Sequence, residues 1–177
     1  MDQKTEAEIV IRVLKGDRQA YALLMEEYKS PVYNLAYRMT GNSADADDLT
    51  QETFIRAYKY LWRYDSQRKF FTWLYTISFN LIKNHIKKNK KNLNRIAEIN
   101  MLSPEQNDTS PDARLIEDRR ISSCLLQVPY KLRSLLIMKY HQELSFEEIA
   151  DITGKSVTAV KMSIYRGLES LKKMMKD

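Results

Sequence analysis

The 177-residue chain is poor in everything that staples or interrupts a fold. Its one cysteine, Cys124, cannot form an internal disulfide, so a reducing, cytoplasmic setting is expected. Two histidines and that cysteine lie far apart in the chain, which argues against a zinc site. Four glycines and four prolines leave few turns, so long helices are expected. The longest stretch without a charged residue, Phe70 to Ile82, has thirteen residues. A membrane span needs roughly 20, so no membrane insertion is expected. No apolar segment follows a basic start, so no signal peptide is expected either. There is no nucleophile–base pair, phosphate loop or metal-ligand spacing. An enzyme, a metal, a cofactor and a small-molecule substrate are therefore not expected.

What the chain does have is charge, laid out unevenly. Lys and Arg total 29 against 23 Asp and Glu, a net charge of +6, and the mean hydropathy is −0.52. Lys69, Lys83, Lys87, Lys88, Lys90, Lys91 and Arg95 occupy one window without an acid. Lys155, Lys161, Arg166, Lys172, Lys173 and Lys176 oppose only Glu169 in another. Asp45, Asp47, Asp48 and Glu52 form an acidic cluster between Arg38 and Arg56. Two basic segments suit phosphate and one acidic segment suits a basic protein; taken alone, the runs are more simply read as three solvated helix faces.

The length suits one ordinary domain or two small ones. Tyr21, Met25, Tyr28, Val32, Leu35 and Met39 recur at steps of three and four, an apolar helical face that Pro31 is expected to kink or divide. Gly41-Asn42-Ser43 reads as a stop and a cap. The next helix carries Leu49, Phe54, Ala57, Tyr58 and Leu61 toward the core. Tyr64 to Gln67 is a polar break, after which Phe70, Leu74, Ile77, Leu81 and Ile82 resume helical spacing. From about Asn92 to Asp112 periodicity lapses, with Ser103-Pro104 and Ser110-Pro111 inside, and a linker is expected. A helix is expected from Pro111 or Asp112 to Leu126, and Pro129 suits the first turn of another carrying Leu132, Leu135, Leu136 and Met138. The fold class is thus all-α: two small helical domains joined by a flexible linker.

Ser145 to Gly167 has helix-turn-helix grammar. Ser145 and Glu148 have capping-box spacing, Ala150 is small where helices cross, Gly154 suits a left-handed turn, and Ser156 can cap the second helix. Val160, Ile164 and Leu168 face inward at steps of four, leaving Thr158, Lys161, Met162, Tyr165 and Arg166 outward. Lys or Arg can donate to guanine edges, and Tyr or Met can touch thymine methyls. Phosphate contact is the plainer role for the cations, and a helical hairpin the plainer one for the motif. Gly167, inside the second helix, costs about 1 kcal/mol relative to Ala unless something packs closely against it.

The first half carries two further faces. Trp73, Thr76, Asn80, Asn84 and Lys87 follow one another opposite the apolar stripe, with Lys83 and Lys88 beside them. An indole, two amides and cations in one stripe can stack on and hydrogen-bond unpaired bases; Trp73 alone reads more simply as core. Asp48, Gln51, Glu52 and Ile55 form a mixed acidic and apolar face, suited to a basic helix or simply to the helix dipole.

In order, Asp47-Asp48-Leu49-Thr50-Gln51-Glu52-Thr53-Phe54, Phe71-Thr72-Trp73-Leu74-Tyr75, Asn80-Leu81, Leu144 to Ala150 and Val160-Lys161 resemble bacterial sigma factors of the extracytoplasmic-function group. The resemblance spans nearly the whole chain except the linker. It implies region 2 over residues 1–93, a linker over 94–112 and region 4 over 113–177. It implies core RNA polymerase as partner, through the clamp of the β′ subunit and the flap of the β subunit, with Asp48, Gln51 and Glu52 at docking positions. It implies recognition and melting of a minus-ten promoter element by the Trp73 to Lys88 helix, with Asn80 near an unstacked base. It implies reading of a minus-thirty-five element with Lys161, Tyr165 and Arg166 at matching positions, and an anti-sigma partner by analogy. Relatives often carry arginine where Phe71, Thr76, Phe79 and Ser163 stand, and aspartate where Asn84 stands; here the lysine tract supplies charge one or two turns later. A stand-alone helix-turn-helix regulator is the alternative, and it leaves the acidic face and the amide–lysine stripe without a task.

Overall fold

The structure, a computed structural model, describes residues 1–97 and 124–174, with side chains over 1–89 and 124–173. Every regular element among the described residues is helical: α1 (Gln3–Leu14), α2 (Ala20–Thr40), α3 (Ser43–Lys59), a 3₁₀ turn (Leu61–Arg63), α4 (Phe70–Ala97), α5 (Tyr130–Tyr140), α6 (Phe146–Thr153) and α7 (Val157–Met174), with residues 124–127 helical as well.

Local chemistry sets most of the ends. Asp2 caps α1 by accepting from the Thr5 N–H. Gly41 closes α2 at φ 72°, and Asn42 caps α3 by accepting from the Asp45 N–H. Pro31 lies inside α2 without dividing it. Its ring removes one N–H from the ladder, but Val32, Leu35 and Ala36 just beyond it are fully buried, and their packing carries the helix through. Two residues expected in the core are exposed, Met25 at 38 % and Tyr58 at 41 %. Each lies at the margin of its helix's apolar stripe, where a step of three or four no longer reaches the neighbouring helix. Tyr58 still packs edge-on against Tyr21 at 5.0 Å. Pro129 stands at the N-cap of α5, one place before the first turn. Helix α4 continues to Ala97, beyond the expected boundary at 93, and residues 94–97 of the expected linker are therefore helical. The remainder of that linker, and residues 111–123 of the helix expected after it, lie outside the described residues.

Helices α1 to α4 surround a core built on Leu24, Val32, Leu35, Met39, Phe70, Leu74 and Ile82. Helices α5 to α7 enclose Leu135, Ile137, Met138, Ile149 and Val160. The two sets touch, α4 lying against α6 and α2 against α5. Arg133 joins them. It donates to the Met39 carbonyl at the end of α2 (2.6 Å) and to the carbonyls of Leu126 (2.6 Å) and Val128 (3.1 Å). All its hydrogen bonds among the described residues go to backbone carbonyls, and burial holds its guanidinium below the ordinary value. Its charge is accepted there because it meets the partly negative ends of helical segments. Gly167 is explained by the same packing: a Cβ there would lie 3.2 Å from Leu136 of α5.

Replacing Arg133 with Met strips three carbonyls of their donor and should cost about 1–3 kcal/mol. Urea unfolding followed by circular dichroism measures this, and an unchanged midpoint would contradict the assignment.

Candidate nucleic-acid and polymerase interface

Three faces remain free of the core, each on a different helix. The first is on α7. Ser145 accepts from the Glu148 N–H (3.1 Å) while Glu148 accepts from the Ser145 N–H (2.9 Å), the expected capping box of α6. Gly154 turns the chain at φ 66°, and Ser156 accepts from the Ala159 N–H (3.2 Å) to start α7. Val160 and Ile164 are buried and Leu168 partly so, which fixes the rotation of α7 about its axis. Ser156, Thr158, Lys161, Met162, Tyr165 and Arg166 are all exposed, Tyr165 at 62 %. Apolar, hydroxyl and cationic groups thus share one uncovered face, the mix a major groove can accept.

The second face is on α4. Phe70, Leu74, Tyr75, Leu81 and Ile82 are buried, leaving Asn80, Asn84, Lys87 and Lys88 exposed. Lys83 is half-buried and donates to the Asn80 side-chain oxygen (2.8 Å). Thr76 is half-buried and donates to the Thr72 carbonyl (2.8 Å). Trp73 is half-buried, lying 5.6 Å from the rings of both Tyr64 and Phe70. The indole is therefore neither plain core nor fully exposed: one side rests on an aromatic cluster. The side chains of Lys90, Lys91 and Arg95 lie outside the described residues.

The third face is on α3. Asp48 and Gln51 are exposed, Ile55 is 61 % exposed, and Glu52, half-buried, pairs with Arg56 one turn on. An isoleucine so exposed, with the Glu52 carboxylate one turn before it and Tyr58 one turn after, is an apolar spot that a partner helix could cover. Among the described residues no group of three or more His, Cys, Asp or Glu is placed to hold a metal ion. No described helix is long and apolar enough to cross a membrane.

Sequence reasoning missed the contacts between the two helix sets. Lys69, just before α4, pairs with Glu148 of α6 (2.8 Å). Tyr75 donates to the Gln142 side-chain oxygen (2.8 Å), and the Gln142 amide donates to the Pro31 carbonyl (3.3 Å). No local pattern announces such pairs. It also missed Glu6, although its register with Ile9, Val10 and Val13 on α1 signals a carboxylate on an apolar face.

Comparison with known proteins accounts for both helix sets. Residues 24–92 match Sigma-70 region 2, and residues 118–171 match Sigma-70, region 4. SigW of Bacillus subtilis, an ECF RNA polymerase sigma factor, is 38 % identical over 94 % of this chain and 94 % of its own length. The ECF sigma-E factor of Escherichia coli K12 is 32 % identical over 96 % of this chain and 94 % of its own. CnrH, solved in complex with the cytosolic domain of CnrY, shares the fold at a TM-score of 0.73 and 22 % identity, over 99 % of this chain and 97 % of its own. RpoE of Bartonella quintana, solved with the anti-sigma factor NepR, does so at 0.74 and 17 %, over 88 % and 96 %. Region 2 followed by region 4 makes a promoter-directing transcription initiation factor, a class that is not enzymatic. Within that class, the chain belongs to the ECF RNA polymerase sigma factors.

The Glu148 carboxyl gives a pH test. Burial pushes it up, but Lys69 and the Ser145 N–H and hydroxyl outweigh that and hold it below the ordinary carboxylate value. A carboxyl so lowered stabilises the fold above its unfolded pKa and loses that contribution as pH falls through the folded value. The urea midpoint should therefore fall below about pH 4.3, the ordinary glutamate value, and Glu148→Gln should flatten that part of the profile. Identical profiles for the two proteins would refute the assignment.

Proposed function

We propose that α3 docks the chain on core RNA polymerase, α4 recognises and melts the minus-ten element, and α7 reads the minus-thirty-five element. The observation that carries this is the presence of three separate uncovered faces of different chemistry on one chain. Asp48, Gln51, Glu52 and Ile55 meet the clamp of the β′ subunit. Trp73, Thr76, Asn80, Lys83, Asn84, Lys87 and Lys88 face the opened strand. Ser156, Thr158, Lys161, Met162, Tyr165 and Arg166 enter the major groove. The corresponding domains are 1–93, which α4 extends to Ala97, and 113–177, joined by the rest of 94–112, and the flap of the β subunit meets the second. The mechanism requires no turnover, and its setting is the cytoplasm. An anti-sigma partner is proposed on the strength of RpoE having been solved with NepR.

No covalent step is needed. Each grip on DNA is weak alone, and tethering on polymerase multiplies the two affinities. Stacking of an unpaired base on protein offsets part of the stacking lost on melting, worth about 1–3 kcal/mol per base. The two elements lie about 85 Å apart along B-form DNA, at roughly 34 Å per helical turn. A compact body of this length has a radius of gyration of about 16 Å. Joint engagement therefore requires the α4–α6 seam to open, which breaks Lys69–Glu148 and Tyr75–Gln142. A stand-alone regulator would leave the region 2 match over residues 24–92 without a role.

Reversing charge at Asp48 and Glu52 to Lys should abolish polymerase capture and run-off transcription while the helical circular dichroism signal stays unchanged. Undiminished capture would refute the docking assignment. Lys161→Ala or Arg166→Ala should cost about 1–3 kcal/mol of discrimination at a single promoter position if either cation reads a base. A uniform loss across promoters would mark phosphate contact.

A further inference from the structure

Helix α4 starts without a cap of its own. Lys69 precedes it, and its first turn holds no acidic side chain. The first N–H groups of a helix have no partner within it and must find acceptors elsewhere. The acceptor for the Phe70 N–H is Oε2 of Glu6, at 3.0 Å, contributed by α1 from 64 residues earlier. Glu6 is 3 % exposed, and its other oxygen accepts from the Tyr28 hydroxyl. A buried carboxylate with both oxygens engaged thus sits at the positive end of the α4 dipole, where a negative charge is favoured.

The same carboxylate organises the rings beneath Trp73. Tyr28, held by Glu6, packs on Phe70 (5.8 Å between ring centres) and Phe71 (5.7 Å). Phe70, whose N–H Glu6 accepts, supports Trp73 at 5.6 Å. Both hydrogen bonds of one side chain therefore converge on the platform that sets the tilt of the indole. Residues 1–23, and with them α1, lie outside the region 2 match, so nothing in that match assigns them a task.

We infer that Glu6 is a positioning residue for promoter melting: it fixes the first turn of α4 and, through Phe70 and Tyr28, the angle at which Trp73 meets an unpaired base. The inference rests on reading α4 as the minus-ten helix. Glu6 itself does not touch DNA. Gln at this position has one carbonyl oxygen and can replace only one of the two acceptors, and Ala replaces neither.

The test uses the full chain carrying Trp62→Phe, which leaves Trp73 as the sole indole. Glu6→Ala and Glu6→Gln are compared with this parent in two ways. One is Trp73 emission and acrylamide quenching of the free protein. The other is initiation with core polymerase on a duplex promoter and on the same promoter with its minus-ten segment mismatched open. Glu6→Ala should shift Trp73 emission to the red and cut duplex initiation about tenfold, the size of effect a lost cap produces. Initiation on the pre-opened promoter should recover, and Glu6→Gln should lie between. Equal losses on both templates, or Trp73 emission unchanged from the parent, overturn the inference. If Glu6→Ala fails to fold, Glu6→Gln decides by the same two readouts. If the parent itself does not initiate with core polymerase, the reading of α4 fails, while Trp73 emission still decides whether Glu6 sets the indole.

Discussion

Helix α4 is held by α1, α2, α3 and α6, and the minus-ten surface proposed for the first half depends on the one face those contacts leave open. The buried stripe of Phe70, Leu74, Tyr75, Leu81 and Ile82 fixes the rotation of the helix. Fully burying one such side chain is worth about 1.5–3 kcal/mol, so turning the helix to hide Asn80 and Asn84 instead would forfeit several such terms. An α-helix places side chains every 100°, and once one stripe is committed to the core the opposite stripe is committed to solvent. Position on the polar face is thus a consequence of packing rather than of the polar residues themselves.

The second half solves the same problem with less material. Only eight residues form α6, too few to be helical alone, so both ends are chemically closed, by the Ser145–Glu148 box and by Gly154. Val160 and Ile164 then dock α7 at a set rotation. Glu148 serves twice, capping α6 and pairing with Lys69 across the seam. The surface partner is the weaker interest, since exposed pairs are worth little. The half-buried Arg133, donating to the Met39 carbonyl of one set and to the Leu126 and Val128 carbonyls of the other, is the firmer link between them.

How much of this could be read in advance follows from the range of each interaction. Ser145, Glu148, Gly154, Gly41 and Asn42 act within a few residues, and their roles are legible from spacing. The exposed faces of α3 and α7 are legible too, because an apolar period defines its own opposite side. Gly167 was legible only as an anomaly; its reason, Leu136 at 3.2 Å from the Cβ position, lies 31 places away in the chain. Met25 and Tyr58 kept the right period but sat at the edge of the stripe, where burial depends on which helix lies alongside. Glu6, Arg133 and Gln142 were illegible as contacts, since their partners lie 64, 94 and 111 residues away. Of the kink or division expected at Pro31, the division does not occur, for a related reason: the penalty is local, but the packing that carries the helix through is not.

The two DNA grips proposed for this chain work together only when polymerase holds them apart. Spin labels at Leu23→Cys and Glu169→Cys in a Cys124→Ser background report the separation of the two helix sets by pulsed electron resonance, in the free chain and in complex with core polymerase and promoter. A single short distance is expected in the free chain and a longer one, increased by tens of ångströms, in the transcribing complex, since the promoter elements are about 85 Å apart. A transcribing complex in which the distance stays that of the free chain would contradict it.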